Sequence, residues 1–222
     1  MAGEAALVHA AHPASQGSAP FPGLLLLHGR GTDEKDLLGL ADELDDRLFV
    51  VSARGPFRFP YGGYAWYELD PDGVGYPSPE SLNKSVGLLE RFLDDMVSSY
   101  SIDPNRLYVG GFSMGGAMAA GLALIFPERI AGAVILSSYL PLHAGLAFKA
   151  EQAAGHPFFQ AHGMYDPVIP VSHARETRDF LAKTDVDLTH REYPIAHQIS
   201  GPELADLRTW FAEVLSRGDA KS

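Results

Sequence analysis

Hydrophobic positions along the chain fall into short unbroken runs, and these alternate with stretches in which they recur every three or four residues. Residues 23–28 (GLLLLH), 48–53 (LFVVSA), 106–112 (RLYVGGF) and 130–137 (IAGAVILS) are runs bounded by turn residues, which predicts strands buried on both faces. Between them, residues 34–46 (EKDLLGLADELDD), 79–100 and 114–126 (MGGAMAAGLALIF) carry helical spacing. The later half continues with strands at 158–161 and 186–193 and helices at 172–184 and 201–217, the last with Leu204, Leu207, Phe211 and Leu215 on one stripe. Such alternation predicts βαβ units and a mostly parallel central sheet with helices on both faces, an α/β protein. One domain over residues 1–222 is expected, with residues 1–20 partly irregular.

Two segments break the alternation, 55–79 and 139–155. Long loops in a compact sheet domain at the carboxyl ends of strands border the ligand crevice, so both are expected near the active site.

Composition narrows the partners. With a formal charge of −11 and no Lys/Arg cluster, the chain offers nothing that would hold a phosphate backbone or an anionic membrane surface, and no nucleic-acid partner is expected. There is no cysteine, which removes disulfide frameworks, thiol nucleophiles and thiolate metal sites together. The first twenty residues lack a basic start followed by an apolar core, and the apolar runs are too short to span a bilayer. A soluble, cytoplasmic protein without stable membrane insertion is expected, as a monomer or homodimer.

The chemistry centres on GGFSMGG at residues 110–116. Its pattern G-x-S-x-G arises by chance in roughly one chain in six of this composition, so context decides. Here Ser113 lies between a predicted strand and a predicted helix, where a sharp turn would expose its hydroxyl above the sheet. Gly111 and Gly115 stand two residues to either side, where a tight turn needs small residues, and Gly116 would let the helix pack closely on a strand.

A serine hydroxyl is a poor nucleophile at neutral pH and needs a base, itself oriented by a third group. Hydrolases with this turn supply them in the chain order Ser, Asp or Glu, His, each after a strand. Asp166, in AHGMYDPVIP, and His197, in YPIAHQIS, meet that order. The rival histidines His162, His173 and His190 sit at a strand end, a helix start and inside a strand pattern, and Asp179, Asp185 and Asp206 fall on helices or a turn. For the oxyanion of a tetrahedral intermediate, LLLLHGRGTDEKDL provides the early glycine loop, so the N–H groups of Arg30 and Met114 are the expected donors, with Gly29 or Gly31 as alternatives to Arg30.

Together LHGRGTDEKDLL, VGGFSMGGAMA, HGMYDPVIP and AHQIS, spanning residues 24 to 200, resemble the phospholipase/carboxylesterase family of α/β-hydrolases, which includes acyl-protein thioesterases and small bacterial carboxylesterases. The resemblance implies the α/β-hydrolase fold with no large cap domain. It also implies a cofactor-free serine hydrolase with Ser113 as nucleophile, His197 as base, Asp166 as orienter, and oxyanion donors at Arg30 and Met114. One position departs: eukaryotic thioesterase members usually carry glutamine where this chain has Met114. That departure favours a bacterial-type carboxylesterase over a protein depalmitoylase.

The expected substrate is a small-molecule carboxylic ester, with thioesters and lysophospholipids in the same class. A serine peptidase or amidase on the same fold and a catalytically silent binding homologue are the alternatives. The segment PFRFPYGGYAWYEL crowds Phe57, Phe59, Tyr61, Tyr64, Trp66 and Tyr67 together. Such rigid rings either make a pocket wall or seal the loop onto the core; Trp66 is the first expected pocket residue, with Tyr64 beside it. Val168 and Ile169, just after Asp166, are the other expected substrate contacts. His9 and His12 have a spacing that metal sites use, but no third ligand accompanies them, and no metal is expected.

Overall fold

The computed structural model describes residues 5–69 and 77–219. Along the chain run β1 (His9–His12), β2 (Phe21–Leu27), β3 (Phe49–Ala53), β4 (Phe57–Arg58), β5 (Tyr64–Ala65), α1 (Pro79–Tyr100), β6 (Ile102–Phe112), α2 (Met114–Ile125), β7 (Gly132–Leu136), β8 (Pro157–Gly163), α3 (Val171–Leu181), β9 (Asp187–Tyr193) and α4 (Gly201–Asp219). One seven-stranded sheet has the order β1-β3-β2-β6-β7-β8-β9, and β4 and β5 pair separately as a small hairpin. All neighbours in the large sheet are parallel except β1, which lies antiparallel on β3. This is the α/β-hydrolase fold, and no cap domain is inserted among the described residues.

Period-two alternation sorts each strand between two cores. Leu25, Leu27, Val51, Val109 and Ile135 face α1 and α2, meeting Leu82, Leu89, Phe92, Met118 and Leu122. Leu24, Leu26, Val50, Tyr108 and Val134 face the other way, against Leu207, Trp210, Phe211 and Leu215 of α4. Since full burial of one such side chain is worth about 1.5–3 kcal/mol, both layers fix the sheet's register. Helix α1 keeps its expected limits, 79–100: Ser78 accepts the Ser81 N–H at 3.5 Å, Pro79 occupies the first turn, and Ser101 ends the helix with φ 49°.

Three elements differ from expectation. Residues 9–12, within a segment expected to be partly irregular, form β1 by pairing along β3; HAAH carries no apolar run to announce a strand. His9 bonds the Tyr100 hydroxyl at 2.6 Å and His12 lies 3.2 Å from Asp42, so the two imidazoles serve separate partners. Residues 34–46 form only a 3₁₀ turn, Leu38–Glu43. Leu37, Ala41 and Leu44 still bury one stripe, but Asp33 accepts the Lys35 N–H in a local turn and Gly39 weakens helix propensity at the centre. Within 55–79 the β4–β5 hairpin appears, and residues 70–76 lie outside the described ones.

Candidate active site

Strand β6 ends at Phe112 and α2 begins at Met114, which leaves Ser113 alone in the turn with φ 54° and ψ −121°. A non-glycine residue held at positive φ is strained, and the surroundings must hold it there. The Ser113 N–H donates to the Leu136 carbonyl at 2.9 Å, and the Ser138 hydroxyl donates to the Ser113 carbonyl at 2.6 Å. A Cβ on Gly111 would enter the Gly115 backbone, and one on Gly115 would strike the Leu27 carbonyl. At Gly116 it would come within 2.6 Å of the Ser138 Cβ. The glycines around the serine are therefore requirements of close approach.

Asp166 follows β8 and His197 follows β9, and parallel pairing of these strands brings the two loops side by side. The Met164 N–H donates to the Tyr193 carbonyl at 2.7 Å and the Tyr165 N–H to the Ile195 carbonyl at 3.0 Å, tying loop to loop. As a result Ser113, His197 and Asp166 form one hydrogen-bonded chain: Ser113 Oγ to His197 Nε2 at 2.9 Å, and His197 Nδ1 to Asp166 Oδ2 at 2.6 Å. The other carboxylate oxygen, Oδ1, accepts the N–H groups of Val168 at 2.8 Å and Ile169 at 2.9 Å. Burial alone would raise the Asp166 carboxyl, but the His197 donor and these two N–H groups outweigh it and hold it below the usual range. An ionised Asp166 keeps the proton of His197 on Nδ1, and the Nε2 lone pair then faces the serine hydroxyl.

His162, the rival histidine at the end of a strand, lies behind the Asp166 carboxylate. Its Nε2–H donates to the Ile169 carbonyl at 2.8 Å and lies 3.4 Å from Asp166 Oδ2, both side chains being fully buried. Burial lowers its basicity, with the Ile169 carbonyl and Asp166 pulling the other way. The signal that could have found it is its place four residues before Asp166 at the end of a strand.

Arg30 and Met114 border a cavity of about 520 Å³ together with Ser113. Among the described residues, neither of their N–H groups has a backbone acceptor, whereas the Gly31 N–H is spent on the Tyr64 carbonyl at 2.8 Å. The loop that carries Arg30 is braced from behind. His28, buried and neutral because burial lowers its basicity, accepts the Gly55 N–H on Nε2 at 2.9 Å, and its carbonyl accepts the Trp66 indole N–H at 2.9 Å.

Val168 and Ile169 border the cavity, as do Leu69 and Pro77 of one expected loop and Tyr139 to Ala144 of the other. Trp66 and Tyr64 do not, which corrects the expected aromatic wall. Trp66 is fully buried with its indole N–H committed to His28, and its backbone N–H points at the Met114 sulfur at 3.3 Å. The Tyr64 ring lies 4.6 Å under the Arg54 guanidinium. Both rings brace the glycine loop instead of facing a ligand.

A family model described as Phospholipase/Carboxylesterase matches residues 12–215. Lysophospholipase-like protein 1 of Mus musculus is 31% identical over 205 residues, which cover 84% of each chain. Acyl-protein thioesterase 1 of Debaryomyces hansenii is 25% identical over 77% of this chain and 74% of its own. Among solved structures, the Bacillus cereus carboxylesterase superposes with a TM-score of 0.83 at 26% identity, over 94% of both chains. With the elbow, the sheet order and this match over most of its length, the chain belongs to the phospholipase/carboxylesterase family of α/β-hydrolases.

Proposed function

We propose that the protein hydrolyses carboxylic esters, thioesters included, through an acyl-enzyme on Ser113. The observation that carries this reading is the unbroken hydrogen-bonded chain from Asp166 through His197 to Ser113. In the first half-reaction Ser113 Oγ attacks the carbonyl carbon as its proton passes to His197 Nε2. The developing oxyanion is received by the N–H groups of Arg30 and Met114, each such donor being worth about 2.7–4 kcal/mol in the transition state. His197 then hands its proton to the departing alcohol or thiol. Water enters by the same base and releases the acid. Asp166 holds the imidazole in the required tautomer throughout, and Val168 and Ile169 line the bound acyl or alcohol group.

The relatives' names, carboxylesterase, lysophospholipase-like protein and acyl-protein thioesterase, support an ester or thioester bond as the target. Among the described residues no helix is long and apolar enough to cross a membrane. In this reading a single domain acts on a small-molecule ester in the cytoplasm, as a monomer or homodimer. A chain-length series of aryl esters tests it with purified wild type and Ser113→Ala. Cleavage by the wild type and its labelling by a fluorophosphonate support the proposal; a wild type that neither cleaves nor labels contradicts it.

A further inference from the structure

Arg30 borders the cavity and carries two different groups. Its N–H is the proposed oxyanion donor, and its side chain is exposed, with the guanidinium over the Phe59 ring at 5.3 Å from the centroid. In a chain where acids outnumber bases 28 to 17, arginines find carboxylates readily. Arg47, Arg54, Arg129, Arg175, Arg178 and Arg217 each sit on one. Among the described residues Arg30 has no such partner, as Arg58, Arg91 and Arg208 have none, and of these four Arg30 borders the cavity. Glu176 is the one carboxylate among the described residues that line the cavity, and it faces His173 Nδ1 at 3.6 Å.

The same cation is felt by Tyr67, which is buried beside the cavity residue Tyr139. Burial and the neighbouring Tyr139 push the Tyr67 phenol well above its ordinary range, while the charge of Arg30 pulls it down. Leu140, Leu142, Ile169 and Pro170 also line the cavity and give it apolar surface suited to hydrocarbon.

We infer that the preferred substrate is an anionic ester, one whose acyl or alcohol part carries a carboxylate or phosphate that the Arg30 guanidinium receives as a fork while the scissile carbonyl sits at Ser113. A planar guanidinium presents paired N–H groups that match either oxyanion, and a neutral substrate would leave that cation without a counter-charge. The inference rests on the hydrolase reading and names its substrate class.

Two matched pairs test it: an aryl hexanoate against the aryl hemi-ester of adipic acid, and a monoacylglycerol against a monoacylglycerol phosphate. Wild type should favour the charged member of at least one pair by about tenfold or more in kcat/KM at low ionic strength, and added salt should shrink that preference. Whichever pair shows it identifies carboxylate or phosphate as the anion. Arg30→Gln should bring the charged-to-neutral ratio close to one, chiefly through KM, and Arg30→Lys should keep part of it. A wild type that cleaves neutral esters with no preference for either charged partner overturns the inference and leaves the hydrolase reading standing. So does a ratio that Arg30→Gln leaves unchanged. Failure to cleave any of the four overturns both.

Discussion

Arg54, the residue after β3, grips Glu34 in a fork, with Nε–H to Oε2 at 2.5 Å and Nη2–H to Oε1 at 2.7 Å. The pair ties the glycine loop after β2 to the sheet, and the Glu34 side chain is only 6% exposed. Removing one partner would strand a buried charge. Arg54→Met is therefore expected to cost about 3 kcal/mol of stability, and the double variant Arg54→Met with Glu34→Gln to recover most of it. Urea denaturation of wild type, single and double variants measures both changes.

Asp166→Asn keeps the size of the side chain but loses the charge that fixes the His197 tautomer. Turnover of an aryl ester should fall about 10³–10⁴-fold while the fold is retained, as judged by far-UV circular dichroism. A loss below tenfold would remove Asp166 from the proposed machinery.

Glu203, on the first turn of α4, is 1% exposed. Its Oε2 accepts the Ser200 N–H at 3.2 Å, while Oε1 is buried with no partner among the described residues. Burial pushes its carboxyl up to about 7, against the opposing pull of the Ser200 N–H. A carboxyl that holds its proton more tightly when folded makes stability fall as pH rises from the unfolded value near 4.5 to about 7. Glu203→Gln, which keeps the cap and cannot ionise, should gain on wild type across that window, by on the order of 2–3 kcal/mol at pH 8 relative to pH 5. Thermal unfolding of both proteins at the two pH values checks the sign.

Local signals made much of this molecule legible. Helix α1 runs over 79–100 as expected because Ser78 and Pro79 start it and an unbroken stripe from Leu82 to Met96 gives it a buried face. The meeting of Ser113, Asp166 and His197 in one hydrogen-bonded chain was legible because each follows a strand, and because the glycines beside Ser113 answer a steric demand within a few residues of themselves. What tertiary contact decides was not. The Trp66 ring faces the His28 carbonyl across 38 residues, and nothing in PYGGYAWYEL distinguishes a brace from a pocket wall. β1 depends on the exposed edge of β3, and His162 gains its second contact only when the loop of Asp166 folds back over it.

The account turns on whether Ser113 carries the acyl group. Quenching an ester reaction during turnover, then weighing the intact protein and its peptides, measures this directly. The expected result is one acyl mass on the peptide containing Ser113 and none in Ser113→Ala, whose turnover falls by roughly 10⁴–10⁶. An acyl group on another residue, or full turnover by Ser113→Ala, would contradict it.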